Sequence, residues 1–482
     1  MRILTNAIWL SLSRIGADLA GLVLFVSISR DFGPAGTGEY SYAFALASLV
    51  AFAAGAGIDE FGTLQYVRSK SAAERREHWS DIVSTQVVQL GLSAALFTLF
   101  WAAGGVHGRV SIVLELSGLL VAQYVGRTIF VPAMANQSMI LPGLIEFVSR
   151  FSAITVAVVL LLNGSSLPSA LVGFPAAGLL LVYLATRNAR AHNAPLRVRS
   201  SSARILQTLR ATMPFTAAEL LSQFYARADM LLIAYFLGNA SVGIYATDVK
   251  FVEFGILPMF LLGTAAYPVL SRAAARDVAQ FDQTSREFVS VVVFLGGWLA
   301  VGLCCLLPLI LVPVFGSRFQ AAIPLLPWFA ALALLKSVEA ALYRVIYALR
   351  RASTYLFAIL TATVVLVGAN FILIPTIGLP GALCAALASV ATLICICAWQ
   401  TRDLLRPVIV LQVIGRVILT LCITSAIAVA FQHWVRVPWI PAVAACLVYP
   451  LIGLAVGLVP NPRHSALFGL QASDARVTDS LN

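Results

Sequence analysis

Charge is scarce in this sequence. Asp, Glu, Lys and Arg make up 11% of its 482 residues and hydrophobic residues 60%, whereas roughly 25% of a soluble globular domain is charged. A soluble globule is excluded. The seven cysteines (Cys304, Cys305, Cys384, Cys395, Cys397, Cys422, Cys446) all fall in apolar runs, so the sequence offers neither a disulfide framework nor a metal-ligand spacing. None of the five histidines (His78, His107, His192, His433, His464) is deep in an apolar segment, which leaves proton handling inside a membrane to carboxylates. There is no Walker A motif, no D-x-D in a polar loop and no G-x-S-x-G. ATP hydrolysis and recognisable glycosyl transfer therefore have no home, and the chain reads as a non-enzyme without a cofactor. Arg14 and Asp18 interrupt the first apolar stretch, which makes it a membrane span and not a cleaved signal. The net charge of +11 has no basic soluble domain through which to bind nucleic acid, so topology must account for it.

What the sequence has is apolar segments about 20 residues long, each sufficient to cross the hydrocarbon as a helix. Fourteen are expected, at 5–29, 37–64, 82–104, 110–135, 139–162, 167–186, 214–237, 243–270, 288–314, 322–349, 354–375, 380–401, 412–431 and 439–459. The fold class is all-α, a polytopic membrane protein. Twenty Lys and Arg residues fall in the segments on one side, and only Arg30, Arg109, Arg318 and Arg436 in those on the other. The positive-inside rule then places both termini of this multi-pass membrane protein in the cytoplasm. Trp79 and Trp399 lie at inner span ends and Trp101, Trp434 and Trp439 at outer ends, as an interfacial aromatic belt requires.

The stretch 212–273 organises the rest. It reads as a membrane hairpin, with Pro214 in a first helical turn and Glu219, Gln223 and Arg227 at i, i+4, i+8 on one face, followed by Asp229. Such groups at membrane depth must face protein or water. Its turn, Leu237-Gly238-Asn239-Ala240-Ser241-Val242-Gly243-Ile244-Tyr245, matches Phe32-Gly33-Pro34-Ala35-Gly36-Thr37-Gly38-Glu39-Tyr40 as G-x4-G-x-Y. Each copy follows an apolar span that carries charge, Arg14 and Asp18 in the first. The pattern is that of an internal repeat, a common transporter plan.

Eight cations lie within apolar segments: Arg14, Arg127, Arg150, Arg227, Lys250, Lys336, Arg344 and Arg416. Arg416 and Arg344 are near the inner interface, where long side chains snorkel to water. The others need partners. Spacing offers Arg14 with Asp18, Glu146 with Arg150, and Lys336 with Glu339 along single helices. Charged faces in both halves point to a shared hydrated interior. Gly16, Gly21, Pro132, Pro258, Pro268, Pro324 and Pro327 are placed to bend helices, which suits a cavity that opens alternately. The longest connection, 187–213, is Arg-rich and reads as a solvated linker attracted to anionic headgroups.

On Phe32 to Tyr40, Arg227, Asp229, Leu237 to Tyr245, Tyr267-Pro268 with Ser271-Arg272, Phe315-Gly316 to Phe319, and Ile374 to Ala382, the chain resembles polysaccharide or oligosaccharide flippases of the O-antigen type. These belong to the multidrug/oligosaccharidyl-lipid/polysaccharide exporter superfamily. The resemblance implies two six-helix lobes related by a pseudo-two-fold, 1–186 and 214–401, around a cationic cavity. A basic cytoplasmic linker at 187–213 joins them, two further spans occupy 402–459, and 460–482 is a cytoplasmic tail. It also implies movement of undecaprenyl-diphosphate-linked sugar units across the bacterial cytoplasmic membrane by ion-coupled alternating access. The partners are then the lipid-linked oligosaccharide, H+ or Na+, membrane lipids and polysaccharide-assembly proteins. Arg14, Arg127, Arg150, Arg227, Lys250 and Lys336 become the substrate-binding candidates, and Asp18, Glu146 and Asp229 the ion-coupling ones. The acidic groups nearly balance the basic ones, a departure from a strongly cationic lumen. A small-molecule or multidrug exporter of the same superfamily is the alternative. A membrane polymerase or ligase would need a large outer loop, and no outer loop exceeds about ten residues.

Overall fold

The computed structural model describes residues 2–55, 57–102, 104, 110–402, 407–434 and 437–459, with side chains for all of these except 2–15, 352, 407–410 and 432–434. Every regular element among the described residues is helical, as hydrocarbon demands of a backbone that must satisfy its own polar groups. The helices of the first part are α1 (Arg2–Gly55), α2 (Ile58–Arg68), α3 (Ala72–Ala102), α4 (Val110–Ile129), α5 (Val131–Ala135), α6 (Ile140–Leu162), α7 (Leu167–Leu171), α8 (Gly173–Ala191) and α9 (Ser202–Leu237). Then follow α10 (Asn239–Arg276), α11 (Val278–Val301), α12 (Leu307–Phe315), α13 (Leu326–Ala348), α14 (Ala352–Ile377), α15 (Leu379–Gln400), α16 (Pro407–Trp434) and α17 (Trp439–Ala455). A π turn, Gly302–Leu306, joins α11 to α12, and a 3-10 stretch, Ser317–Leu325, leads into α13.

Eleven of these helical stretches are long and apolar enough to cross a membrane. A count of fourteen requires treating the two arms of α1 separately and adding α9, whose charges lower its hydropathy, and α17, which has 17 residues. Large apolar side chains such as Leu99, Leu162, Leu179 and Ile372 are well exposed on the outside of the bundle. In water that surface would be a liability; against lipid it is the expected exterior.

By contacts the chain divides into two units, Met1–Gly243 and Ile244–Asn482. In the first, α1 packs against α3, α4, α6 and α9, and α8 packs against α4 and α6. Small residues permit the closest crossing: a Cβ on Gly178 would lie 2.4 Å from the Gly118 carbonyl oxygen, so α4 and α8 meet backbone to backbone, the usual route to close helix packing in lipid. In the second unit α11 packs on α13 and α14 on α15, where Ser389 Oγ donates to Ala362 O at 2.7 Å. The last two helices join α11: Trp298 Nε1 donates to Cys446 O at 2.9 Å and Tyr449 Oη to Phe294 O at 3.2 Å.

Several element ends differ from the sequence expectation. No loop separates the first two spans, because α1 runs through a corner at Gly33 (φ 62, ψ −164). The same corner, a glycine with positive φ and extended ψ set between two helices, recurs at Gly238 (φ 79, ψ 174), Gly316 and Gly378. Only glycine adopts that conformation without strain. The second span breaks again before α2, and Pro132 starts α5 after a break at Phe130. Pro214 is not in a first turn but well inside α9, which begins twelve residues earlier with Ser201 as its N-cap. The connection expected as loop at 187–213 is mostly helix, since α8 continues to Ala191 and α9 starts at Ser202. Arginine-bearing turns extend both helices beyond their apolar segments.

Candidate functional site: charged side chains inside the helix bundle

In the first unit α1 brings three groups to one place. Its first arm carries Asp18, and its second arm, past the Gly33 corner, carries Tyr40 and Phe44 one turn apart. Asp18 Oδ1 lies 2.9 Å from the Arg150 guanidinium of α6. Phe44 offers its ring face to Arg227 of α9, 5.5 Å from the ring centroid, a distance at which the ring quadrupole attracts the cation. Tyr40 stacks on Phe44, meets Phe25 edge-on, and lies in electrostatic range of both Arg150 and Arg227. Arg150 also lines a small cavity of about 40 Å³ with Gly21, Tyr40, Phe44 and Gln123. Two guanidiniums from different helices thus come to the stacked Tyr40–Phe44 pair, Arg227 over the Phe44 ring and Arg150 in the cavity that both rings line.

A second cluster forms around Arg127 of α4. Its Nε is 3.9 Å from Glu146 Oε1 of α6, its guanidinium lies 5.1 Å over the Tyr124 ring, and Asp59 and Glu219 are close enough to act on its charge. Glu219 accepts the backbone N–H of Gly57 and lies near Asp59 and Glu60. The Asp229 carboxylate accepts the N–H of Met230 at 2.8 Å and has further contacts.

The second unit holds its own pairs. Lys336 Nζ meets Glu339 at 2.9 Å, and Tyr355 Oη donates to Glu339 at 3.4 Å. Lys336, Glu339, Tyr343, Arg344 and Tyr355 line a cavity of about 270 Å³. Lys250 meets Glu253 at 2.8 Å. Arg344 donates to Thr264 Oγ1 at 3.0 Å and sits over the rings of Phe260 and Tyr343, so protein groups hold it in addition to any snorkelling. Arg416 is exposed.

Spacing along single helices anticipated only the Lys336–Glu339 pair among these. Asp18 closes on Arg150 and Glu146 on Arg127, both across helices, because helix crossings bring their turns together. The side chain of Arg14 lies outside the described residues. Sequence reasoning passed over Phe44 and Tyr40 as recognition groups, and also Asp248. Asp248 is fully buried, and neither carboxyl oxygen has a hydrogen-bond partner among the described residues. A carboxylate three residues after the repeat's Tyr245, in an apolar helix, was the available signal.

The described residues thus form long apolar helices that carry paired charges among them. The chain belongs to the polysaccharide biosynthesis protein family, which it matches over residues 3–274. No curated protein sequence is significantly similar to it. Its fold is that of the lipid II flippase MurJ in an inward closed conformation, with TM-score 0.74, 15% identity, and coverage of 93% of this chain and 99% of that one. It is also similar to an inward-facing multidrug resistance MATE family transporter of the MOP superfamily, with TM-score 0.58, 16% identity, and 82% and 98% covered. The MATE multidrug transporter DinF-BH gives TM-score 0.54, 17% identity, and 84% and 96% covered.

Proposed function

We propose that the protein moves an undecaprenyl-diphosphate-linked oligosaccharide from the inner to the outer leaflet of the bacterial cytoplasmic membrane, with both termini in the cytoplasm. The observation that carries this reading is that Arg150 of α6 and Arg227 of α9 both come to the stacked Tyr40–Phe44 pair inside the first unit. A diphosphate crossing hydrocarbon needs its charge matched, and a planar guanidinium grips phosphate oxygens through paired donors. Both cations are held by partners they can leave: Arg150 by one carboxylate, Arg227 in part by an aromatic face. Arg127, Lys250 and Lys336, each beside a carboxylate, and Arg14 extend the set that meets the substrate.

Release works by the same exchange. When Arg150 turns to phosphate, Asp18 is left uncompensated at membrane depth, which is costly. An H+ or Na+ taken up there restores balance, and its dissociation on the other side returns Arg150 to Asp18. Glu146 and Asp229 act likewise in this scheme. Polysaccharide-assembly proteins would supply and remove the glycan.

The reading is tested by reconstituting the purified chain in liposomes with a fluorescent undecaprenyl-diphosphate oligosaccharide and, separately, with a cationic dye. Protein-dependent exposure of the glycan lipid on the opposite leaflet, stimulated by a proton or sodium gradient, is the expected outcome. Dye movement without glycan-lipid movement would favour the small-molecule exporter and defeat this proposal.

A further inference from the structure

Away from the intramembrane charges, the first unit contains a cavity of about 900 Å³ at its arginine-rich end. Its walls carry five arginines: Arg75 and Arg76 from the start of α3, Arg190 from the end of α8, and Arg197 and Arg199 from the segment between α8 and α9. One carboxylate lines it, Glu77, and Arg204 already engages that group from α9. Among the described residues Arg76, Arg190, Arg197 and Arg199 form no ion pair, and Arg75 lies over the Tyr66 ring, 5.7 Å from its centroid.

The cavity has a fixed floor. Trp79, buried in α3, donates its indole N–H to Pro195 O at 3.1 Å, and Ser80 Oγ contacts the carbonyls of Arg197 and Arg199 at 3.1 and 3.0 Å. The interhelix segment is therefore pinned along α3, and its two arginines are carried on anchored backbone. Orientation bias alone asks only that basic residues lie on one side of the membrane. It does not ask that five of them surround one cavity, nor that Arg75 and Arg76 occupy the first turns of α3, where the helix dipole disfavours cations and favours anions.

We propose that this cavity is a binding site for a phosphate-bearing anion, distinct from the charges that meet the carried molecule. Unpaired guanidiniums at close range repel, and an anion with several phosphoryl oxygens relieves that while taking paired N–H donors. The volume lies within the range of ordinary small-molecule sites, roughly 300–1,000 Å³, and accommodates more than a single phosphate ion. The chemistry is shared by an anionic lipid headgroup and by a soluble diphosphate. The proposal does not depend on what the protein transports.

The test uses the full-length protein in nanodiscs of zwitterionic phosphatidylcholine, titrated with inorganic pyrophosphate by calorimetry. Saturable binding is expected, weakened about tenfold or more in the double variant Arg197→Gln/Arg199→Gln, the effect of losing at least one charge-assisted hydrogen bond. Neither side chain holds the fold, because Ser80 is bonded to their carbonyls, and Arg210→Gln outside the cavity should bind as the parent does. Replacing part of the lipid with phosphatidylglycerol separates the sources: abolished pyrophosphate binding identifies a lipid headgroup as occupant, and retained binding a soluble phosphate. Absence of saturable binding in zwitterionic discs, or binding unchanged in the double variant, overturns the proposal.

Discussion

The corner at Gly33 and the corner at Gly238 share a backbone, φ 62 and ψ −164 in one, φ 79 and ψ 174 in the other. Each is followed five residues later by a second glycine, and these two glycines face each other within the first unit. A Cβ on Gly38 would lie 1.6 Å from Asn239 O, and one on Gly243 would lie 2.0 Å from Pro34 O. What the corners carry differs. Deep in the span before Gly33 the described charge is Asp18; before Gly238 it is Glu219, Arg227 and Asp229. After the first corner come Tyr40 and Phe44, after the second Tyr245, Asp248 and Lys250. The repeat is thus a device of the backbone, fixing where helices turn and touch, while chemistry is placed on it independently in each copy.

The largest effect should come from the facing glycines. Gly38→Ala or Gly243→Ala sets a methyl group against backbone that cannot retreat as a side-chain end can, so the loss should be at the upper end of overpacking, about 3 kcal/mol or more. Thermal unfolding in detergent should show both variants severely destabilised and Gly91→Ala, where a Cβ meets nothing within 4 Å, unchanged or slightly improved. A well-behaved Gly38→Ala would mean that the two motif copies do not touch as described.

A smaller and matched effect should follow at the corners. Gly238→Ala meets no atom within 4 Å, so its cost is backbone strain alone, about 1–3 kcal/mol. Gly33→Ala should fall in the same range if the corners are equivalent. Unfolding midpoints that separate the two variants widely would mean that the two corners are not equivalent.

The helical class and the helix corners were legible because hydropathy and glycine placement report on local chain. The loose motifs at Phe32-Gly33, Leu237-Gly238, Phe315-Gly316 and Ile377-Gly378 proved to be one geometry used four times. The ends of α8 and α9 were not legible, since an apolar-run criterion stops at the first arginines whereas helical hydrogen bonding continues past them into the polar region. Pro214 misled for the same reason, as it begins the apolar part of α9 but not the helix. Of the charge pairs, Lys336 with Glu339 was readable because three residues separate them. Asp18 with Arg150 was not, because periodicity describes one helix and the pair belongs to a crossing of two. Asp248 escaped because no basic residue stands three or four positions from it to mark it as one of a pair, and the structure leaves its oxygens without partners among the described residues.

The cations near Tyr40 are proposed to handle substrate and to do more than staple helices. Glycan-lipid translocation by Arg227→Ala, measured alongside its membrane insertion and thermal unfolding, tests this most directly. The expected result is a properly inserted, folded protein whose translocation falls by about two orders of magnitude, the equivalent of roughly 3 kcal/mol for a charge-assisted phosphate contact, with Arg227→Lys retaining an intermediate rate. An Arg227→Ala variant that inserts normally and translocates at the parental rate would contradict it.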